Sequence, residues 1–251
     1  MDRDRISAIT HGDLPFHNPL DPARIDEAIE RLDLTPGERV LDVGCGPGEL
    51  LVRIAERTGA GGLGIDTSAI AVEEARRRAA ARAPGPGLEF RVGDAGTPEG
   101  SFAAACCLGS SHALGGLEPA LARLAEWIAP GGAVLLADGF WQRRPDPAFL
   151  EALGGATEDE LPDFAGLLRA GSAAGLEPVW VATSSARDWE AYEWALIANG
   201  DAYARAHADG ADVRAWIERA RARLLAPGGT DTIGFAVLVL RHRAVESSAS
   251  S

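Results

Sequence analysis

Val40-Leu41-Asp42-Val43-Gly44-Cys45-Gly46-Pro47-Gly48-Glu49-Leu50-Leu51 decides the fold. Four residues of β-rich, apolar character run into three alternating glycines, and an amphipathic stretch follows with Leu51, Ile54 and Ala55 on one face. This is strand, glycine loop, helix. Glycines at that place let backbone amides approach a ligand at the start of the helix. The dinucleotide pattern GxGxxG fails because Glu49 occupies its third glycine position, and a lysine-bearing phosphate loop is excluded because all 24 basic residues are Arg.

Outward from the loop the alternation continues. A strand at Gly62 to Asp66 leads to a helix with Ser68 as its cap, Leu88 to Val92 precedes Gly93-Asp94, and Phe102 to Leu108 precedes Gly109-Ser110-Ser111-His112. A helix at Glu118 to Ile128 and a strand ending at Asp138 close the run. Strands separated by helices predict an α/β domain with a mostly parallel sheet and helices on both faces. Upstream, Asp21 to Leu32 reads as a helix presenting Ile25, Ala28, Ile29 and Leu32, whereas residues 1–20 show no amphipathic period. Downstream, Gly139 to about residue 160 reads as an aromatic, proline-rich interruption. A helix around Asp163 to Ala174, a strand at Glu177 to Ser184, two helices within 186–226 and a last strand, Thr232 to Arg241, complete the chain; the tail from Glu246 to Ser251 reads as frayed.

The 251 residues are 46% hydrophobic, enough for one sizeable core. A formal net charge of −13 disfavours a nucleic-acid partner. The sequence has no apolar run long enough for a bilayer span and starts without a hydrophobic leader, so a soluble, cytoplasmic protein is expected. Cys45, Cys106 and Cys107 have no metal-ligand spacing and read as reduced, packed thiols. Asp138, without accompanying ligands, does not suggest a magnesium site.

With Asp42 in the first strand, the glycines, and Asp66 ending the second strand about 20 residues on, the chain resembles the class I S-adenosylmethionine-dependent methyltransferases, from about Thr35 to about Asp138. The resemblance implies a Rossmann-like, seven-stranded sheet whose last strand is antiparallel and inserted beside the fifth. It implies S-adenosylmethionine as cofactor and S-adenosylhomocysteine as product. Gly44, Cys45, Gly46 and Gly48 would cradle the methionine portion, Asp42 its ammonium, and Asp66 the ribose. Asp94 and Ala95 would meet the adenine, with Thr67 and Leu108 flanking it or the methionine chain. The histidine-bearing start, His11 to Leu20, together with the GSSHALGG turn and the aromatic stretches downstream, resembles a bacterial subgroup whose acceptors are small molecules or unassigned.

The expected organisation is one methyltransferase domain over 1–251, with a cofactor core at 35–138 and cap elements at 1–34, 139–160 and 186–226. His112 either faces the acceptor, as base or positioning group, or caps backbone around Gly115 and Gly116. His11 and Phe16, with Trp141, Trp189 and Tyr192, are candidate acceptor contacts, against the alternatives of an exposed histidine pair (His11, His17) and aromatics that are plain core. Tyr192 and Glu193 are possible polar handles. A non-catalytic cofactor-binding protein and a nucleotide oxidoreductase stand as rival functions; the oligomeric state is not readable.

Overall fold

A computed structural model describes residues 1–85, 87–96 and 98–243. In chain order it has α1 (Arg3–His11), α2 (Pro22–Glu30), β1 (Arg39–Val43), α3 (Glu49–Thr58), β2 (Gly61–Asp66), α4 (Ala69–Arg82), β3 (Leu88–Val92) and β4 (Phe102–Leu108). A short 3-10 turn at Ser111–Leu114 follows, then α5 (Leu117–Trp127), β5 (Ile128–Trp141), α6 (Pro147–Ala152), α7 (Phe164–Ala173), β6 (Leu176–Thr183), α8 (Ala186–Ala206), α9 (Ala211–Leu225) and β7 (Ile233–His242). The tail from Glu246 lies outside the described residues.

The strands form one sheet in the order β3-β2-β1-β4-β5-β7-β6, with β7 antiparallel to both of its neighbours. The expected topology is therefore present, including the antiparallel last strand beside the fifth. The order reverses between β1 and β4, and the C-terminal ends of these strands leave a crevice there, where a ligand can sit without displacing packed side chains.

Successive residues of each central strand serve opposite layers. Val40, Cys106, Leu135 and Val237 pack on one side with Ile25, Ile29, Leu51 and Ile54 of α2 and α3. Leu41, Cys107, Leu136 and Leu238 pack on the other with Leu121 and Leu124 of α5 and Leu167 of α7. Burial on both faces explains why β4 reads as an unbroken apolar run. Capping is local and sequence-encoded: Asp21 accepts the Ala23 N–H at 2.9 Å at the start of α2, and Ser68 accepts the Ala71 N–H at 3.4 Å at the start of α4.

Two expectations are corrected. Residues 1–20 do contain a helix: Asp2 caps α1 by accepting the Arg5 N–H at 2.8 Å, and Met1 and Ile9 pack on a third cluster built from Ile197, Val213 and Ile217 of α8 and α9. The second correction is that residues 139–141 continue β5 rather than interrupting it. Gly139, Phe140 and Trp141 pair with Phe235, Gly234 and Ile233. A side chain at Gly234 would place its Cβ 2.3 Å from the Phe140 ring, so the bulky strand end exists only opposite a glycine.

Candidate functional site

The glycine loop bridges β1 and α3 at the crevice. Gly44 and Gly46 have φ of 69° and 51°, the left-handed region that glycine enters without strain. They differ in their surroundings. A Cβ on Gly44 would lie 2.3 Å from Ser110, whose hydroxyl donates to the Val43 carbonyl at 2.7 Å, whereas a Cβ on Gly46 would meet no atom within 4 Å. Gly44 brings the ends of β1 and β4 together; Gly46 faces open space. Gly48 is the left-handed N-cap of α3 and supplies no side-chain cap, leaving the helix start available to a ligand.

Asp66 is fixed as a bidentate acceptor: Oδ2 takes the Gly46 N–H and Oδ1 the Ser68 N–H, both at 2.8 Å. Its remaining lone pairs face a cavity of about 360 Å³ that Gly46, Thr67 and His112 also line. Asp42, 2% exposed, lies beneath the loop, where burial and then the Asp66 charge push its carboxyl up to about 8. Asp42, Gly44, Cys45, Gly46 and Leu108 surround a smaller cavity of about 50 Å³, closed by Pro15, Phe16 and His17. Asp94 and Ala95 line neither cavity. They follow β3, whose end is tied to β2 by the Gly93 N–H donating to the Asp66 carbonyl at 2.9 Å.

The turn carrying His112 closes on backbone bonds, Gly115 N–H to the His112 carbonyl at 3.2 Å and Gly116 N–H to the Ser111 carbonyl at 3.1 Å, and leaves the imidazole to the large cavity. Asp138 lies under this turn. Its Oδ1 accepts the Gly139 N–H at 2.7 Å, its Oδ2 is buried without a partner, and burial raises its carboxyl against the opposing influence of Ser111, Gly139 and His112.

The opposite wall is made by segments distant in sequence. Arg3, Asp4 and Ser7 of α1 and Glu74 and Arg78 of α4 line the large cavity, and none was a candidate from sequence. The α4 residues had a readable signal in the i,i+4 series Glu74, Arg78, Arg82. Arg78 and Arg82 converge with Arg53 on Glu49, which is 4% exposed and lies 3.2, 2.7 and 2.7 Å from their guanidinium nitrogens. Glu49, the residue that broke the dinucleotide pattern, thus anchors α4 and a strap formed by residues 12–20: the Arg53 guanidinium it holds lies 5.1 Å over the Phe16 ring.

Of the histidine pair, His17 is exposed, as the exposed-pair alternative has it, and His11 is half-buried. Their rings stack with centroids 3.8 Å apart. His17 is exposed and borders both cavities, and partial desolvation, then His11 and Arg78, lower its pKa from the ordinary value. The Nδ1 of His11 is 2.8 Å from the Ser7 carbonyl, which can only accept, so the neutral ring carries its proton there and Nε2 accepts from the Tyr192 hydroxyl at 2.9 Å. Burial lowers His11 and favours that neutral form.

The structure does not bring the other aromatics to the cofactor cavities. Trp141 is 8% exposed and donates its indole N–H to the Glu158 carbonyl at 2.7 Å. Trp189 packs against the α2–α3 layer with its indole nitrogen buried and unpartnered. Glu193 is buried in an ion pair with Arg223 of α9 and so ties two helices together. All three cysteines are buried, and burial raises each thiol, consistent with packing.

The comparisons with known proteins agree with this geometry. Residues 40–132 match the methyltransferase domain family Methyltransf_25, a span that begins in β1 and carries the loop, Asp66 and His112. A solved S-adenosylmethionine-dependent methyltransferase from Thiobacillus denitrificans, in complex with S-adenosyl-L-homocysteine, superposes with a TM-score of 0.85 at 29% identity, covering 97% of this chain and 100% of that one. The chain is an S-adenosylmethionine-dependent methyltransferase.

A Geobacter sulfurreducens methyltransferase, also solved with S-adenosyl-L-homocysteine, gives a TM-score of 0.87 at 27% identity over 95% of this methyltransferase and 98% of its own chain. The uncharacterized protein YjhP of Escherichia coli K12 is 29% identical over 196 residues, 77% of this chain and 79% of YjhP. Its crystal structure superposes with a TM-score of 0.86 at 28% identity, covering 95% of this methyltransferase and all of that chain. The cofactor is S-adenosylmethionine, and the cradle fits it: open space above Gly46, a fixed acidic pair of oxygens at the end of β2, and a buried carboxyl beneath the loop.

Proposed function

We propose that this methyltransferase transfers the methyl group to a small-molecule acceptor by in-line displacement, in a single domain whose cofactor core is roofed by α1, the strap of residues 12–20 and α8. The supporting observation is the cavity of about 360 Å³ that has Gly46, Asp66, Thr67 and His112 on one side and α1 with His17 on the other. A site walled on both sides suits a metabolite and excludes bulk water during transfer.

When bound, S-adenosylmethionine supplies an electrophilic methyl group on a sulfonium. The chain's own residues hold the parts in line. Asp66 receives the ribose hydroxyls, Asp42 the ammonium, and Gly44, Cys45, Gly46 and Gly48 the methionine portion. Asp94 and Ala95 meet the adenine, while Thr67 and Leu108 flank the bound molecule. Orientation supplies most of the rate in such a displacement. His112 holds or removes the acceptor proton. Phe16 and Tyr192 belong to the acceptor side.

Release of S-adenosylhomocysteine across a panel of small metabolites tests the reading. An acceptor should be found, and His112→Ala should lower its transfer rate by about 10²-fold while leaving cofactor affinity nearly unchanged. His112→Asn retains much of the rate if the ring only orients the acceptor, because an amide can hydrogen-bond but cannot take the proton. Undiminished turnover in His112→Ala removes the histidine from the mechanism.

A further inference from the structure

A second cavity, of about 240 Å³, is walled by Leu14, Phe16, Leu20, Pro22, Ala191 and Tyr192, between the strap and the first turns of α8. It shares Pro15, Phe16 and Asn18 with the small cavity over Asp42 and Leu108, so it adjoins the end of the cofactor site away from the ribose carboxylate. Its chemistry is one-sided. Pro15, Pro19 and Pro22 have no N–H, and the N–H groups of Leu14 and Leu20 are already given to the His11 carbonyl at 3.0 Å and to Asn18 Oδ1 at 3.1 Å.

Of the side-chain polar atoms that remain, the Asn18 amide nitrogen is a donor and those of Asp21, Asp188 and Tyr192 are acceptors. Asp21 and Asp188, both in the wall, cap α2 and the start of α8 through one oxygen each. The Tyr192 hydroxyl spends its proton on His11, leaving only lone pairs for a ligand. No wall residue is cationic. A carboxylate or phosphate here would face two like charges with no cation in the wall to offset them. A ligand rich in N–H donors, with an apolar body against Leu14, Leu20 and the Phe16 and Tyr192 rings, complements these acceptors and the apolar wall.

We propose that this second cavity is the acceptor subsite and that it takes a small apolar amine, held by its N–H groups against Tyr192 and the Asp21 and Asp188 carboxylates. The assignment rests on the methyl-transfer reading above. As the free base, the amine forms the C–N bond while the methyl carbon's bond to sulfur breaks with its electron pair returning to sulfur. The proton then lost from nitrogen passes to His112 where that ring acts as base, and otherwise to solvent.

The test uses the full chain saturated with S-adenosylhomocysteine and two probes matched in ring and length, 2-phenylethylamine and 3-phenylpropionate, with binding followed by calorimetry or ligand-observed NMR. The amine should bind at least about tenfold tighter than the acid. Ala191→Trp, at an exposed helix position of the wall, should weaken the amine by about tenfold or more and leave S-adenosylhomocysteine affinity within about twofold. Tyr192→Phe, which keeps the volume and removes only the oxygen, should weaken the amine about fivefold. Equal affinity for the two probes, or amine binding indifferent to both substitutions, overturns the proposal. A protein that does not bind S-adenosylhomocysteine instead removes the methyl-transfer reading, and the amine measured without it still reports on the cavity.

Discussion

The two walls of the crevice are built by different means. On the loop side, from β1 to the turn at His112, geometry is fixed by backbone: left-handed glycines, a helix without a side-chain cap, and an Asp66 carboxylate locked by two N–H groups. On the α1 and α8 side it is fixed by side chains that meet across about 190 residues. Asn199 donates its amide to the Thr10 and His11 carbonyls at 3.0 and 3.2 Å, Tyr192 donates to His11, and the Met1 amino group pairs with Asp212. A backbone-built wall serves a ligand common to the family; a side-chain-built wall can be recut for each acceptor without disturbing the cradle.

The sharpest test of this division is Trp141, which sequence alone groups with the acceptor-side aromatics. Trp141→Ala should destabilise the fold by about 3 to 5 kcal/mol, read by denaturant unfolding, because it empties a buried position at the end of β5 and strands the Glu158 carbonyl. Cofactor affinity of the protein that remains folded should be nearly unchanged. A stable Trp141→Ala protein that fails only in turnover would move this residue back into the acceptor wall.

Asp66→Ala should cost about 2 to 4 kcal/mol of cofactor affinity by calorimetry, the scale of losing charge-assisted hydrogen bonds, with little loss of fold. Unaltered affinity would break the assignment of the loop side.

The smallest effect concerns Asp42. In the empty protein its carboxyl is raised from 3.8 to about 8, so it carries a proton at neutral pH. The folded chain then binds a proton that the unfolded chain has lost, and stability falls as pH rises from about 4 to about 8. An ammonium group arriving beside Asp42 favours the ionised form. Cofactor binding should therefore release close to one proton at pH 7, progressively less as pH rises through about 8, and almost none above about pH 9, measured by calorimetry in buffers of different ionisation enthalpy. Asp42→Asn should abolish the release and flatten the pH dependence of stability. Proton release that persists in Asp42→Asn would assign it to another group.

The cofactor side was legible because its rules are local. Alternating glycines, an acid inside the first strand, a second acid about 20 residues on and Ser68 before an alanine-rich helix each act through neighbours in sequence. Burial on both faces preserved the apolar run from which β4 could be bounded to the residue. The N-terminal helix was missed because its apolar residues are few and its partners, Ile197, Val213 and Ile217, lie in α8 and α9. The end of β5 was missed because Gly139 reads as a turn residue, while what keeps residues 139–141 extended is pairing with 233–235.

By itself, then, the sequence determined the sheet, the glycine loop and the acidic residues at the strand ends, since backbone conformations available only to glycine and the period of burial are written residue by residue. Tertiary structure decided which aromatic rings are core and which border a cavity, that Glu49 gathers three arginines, and that His11, His17 and Tyr192 form one unit. Those outcomes depend on side chains brought together from α1, the strap, α3, α4 and α8, and the free energy of such contacts belongs to the packed arrangement rather than to any stretch of chain.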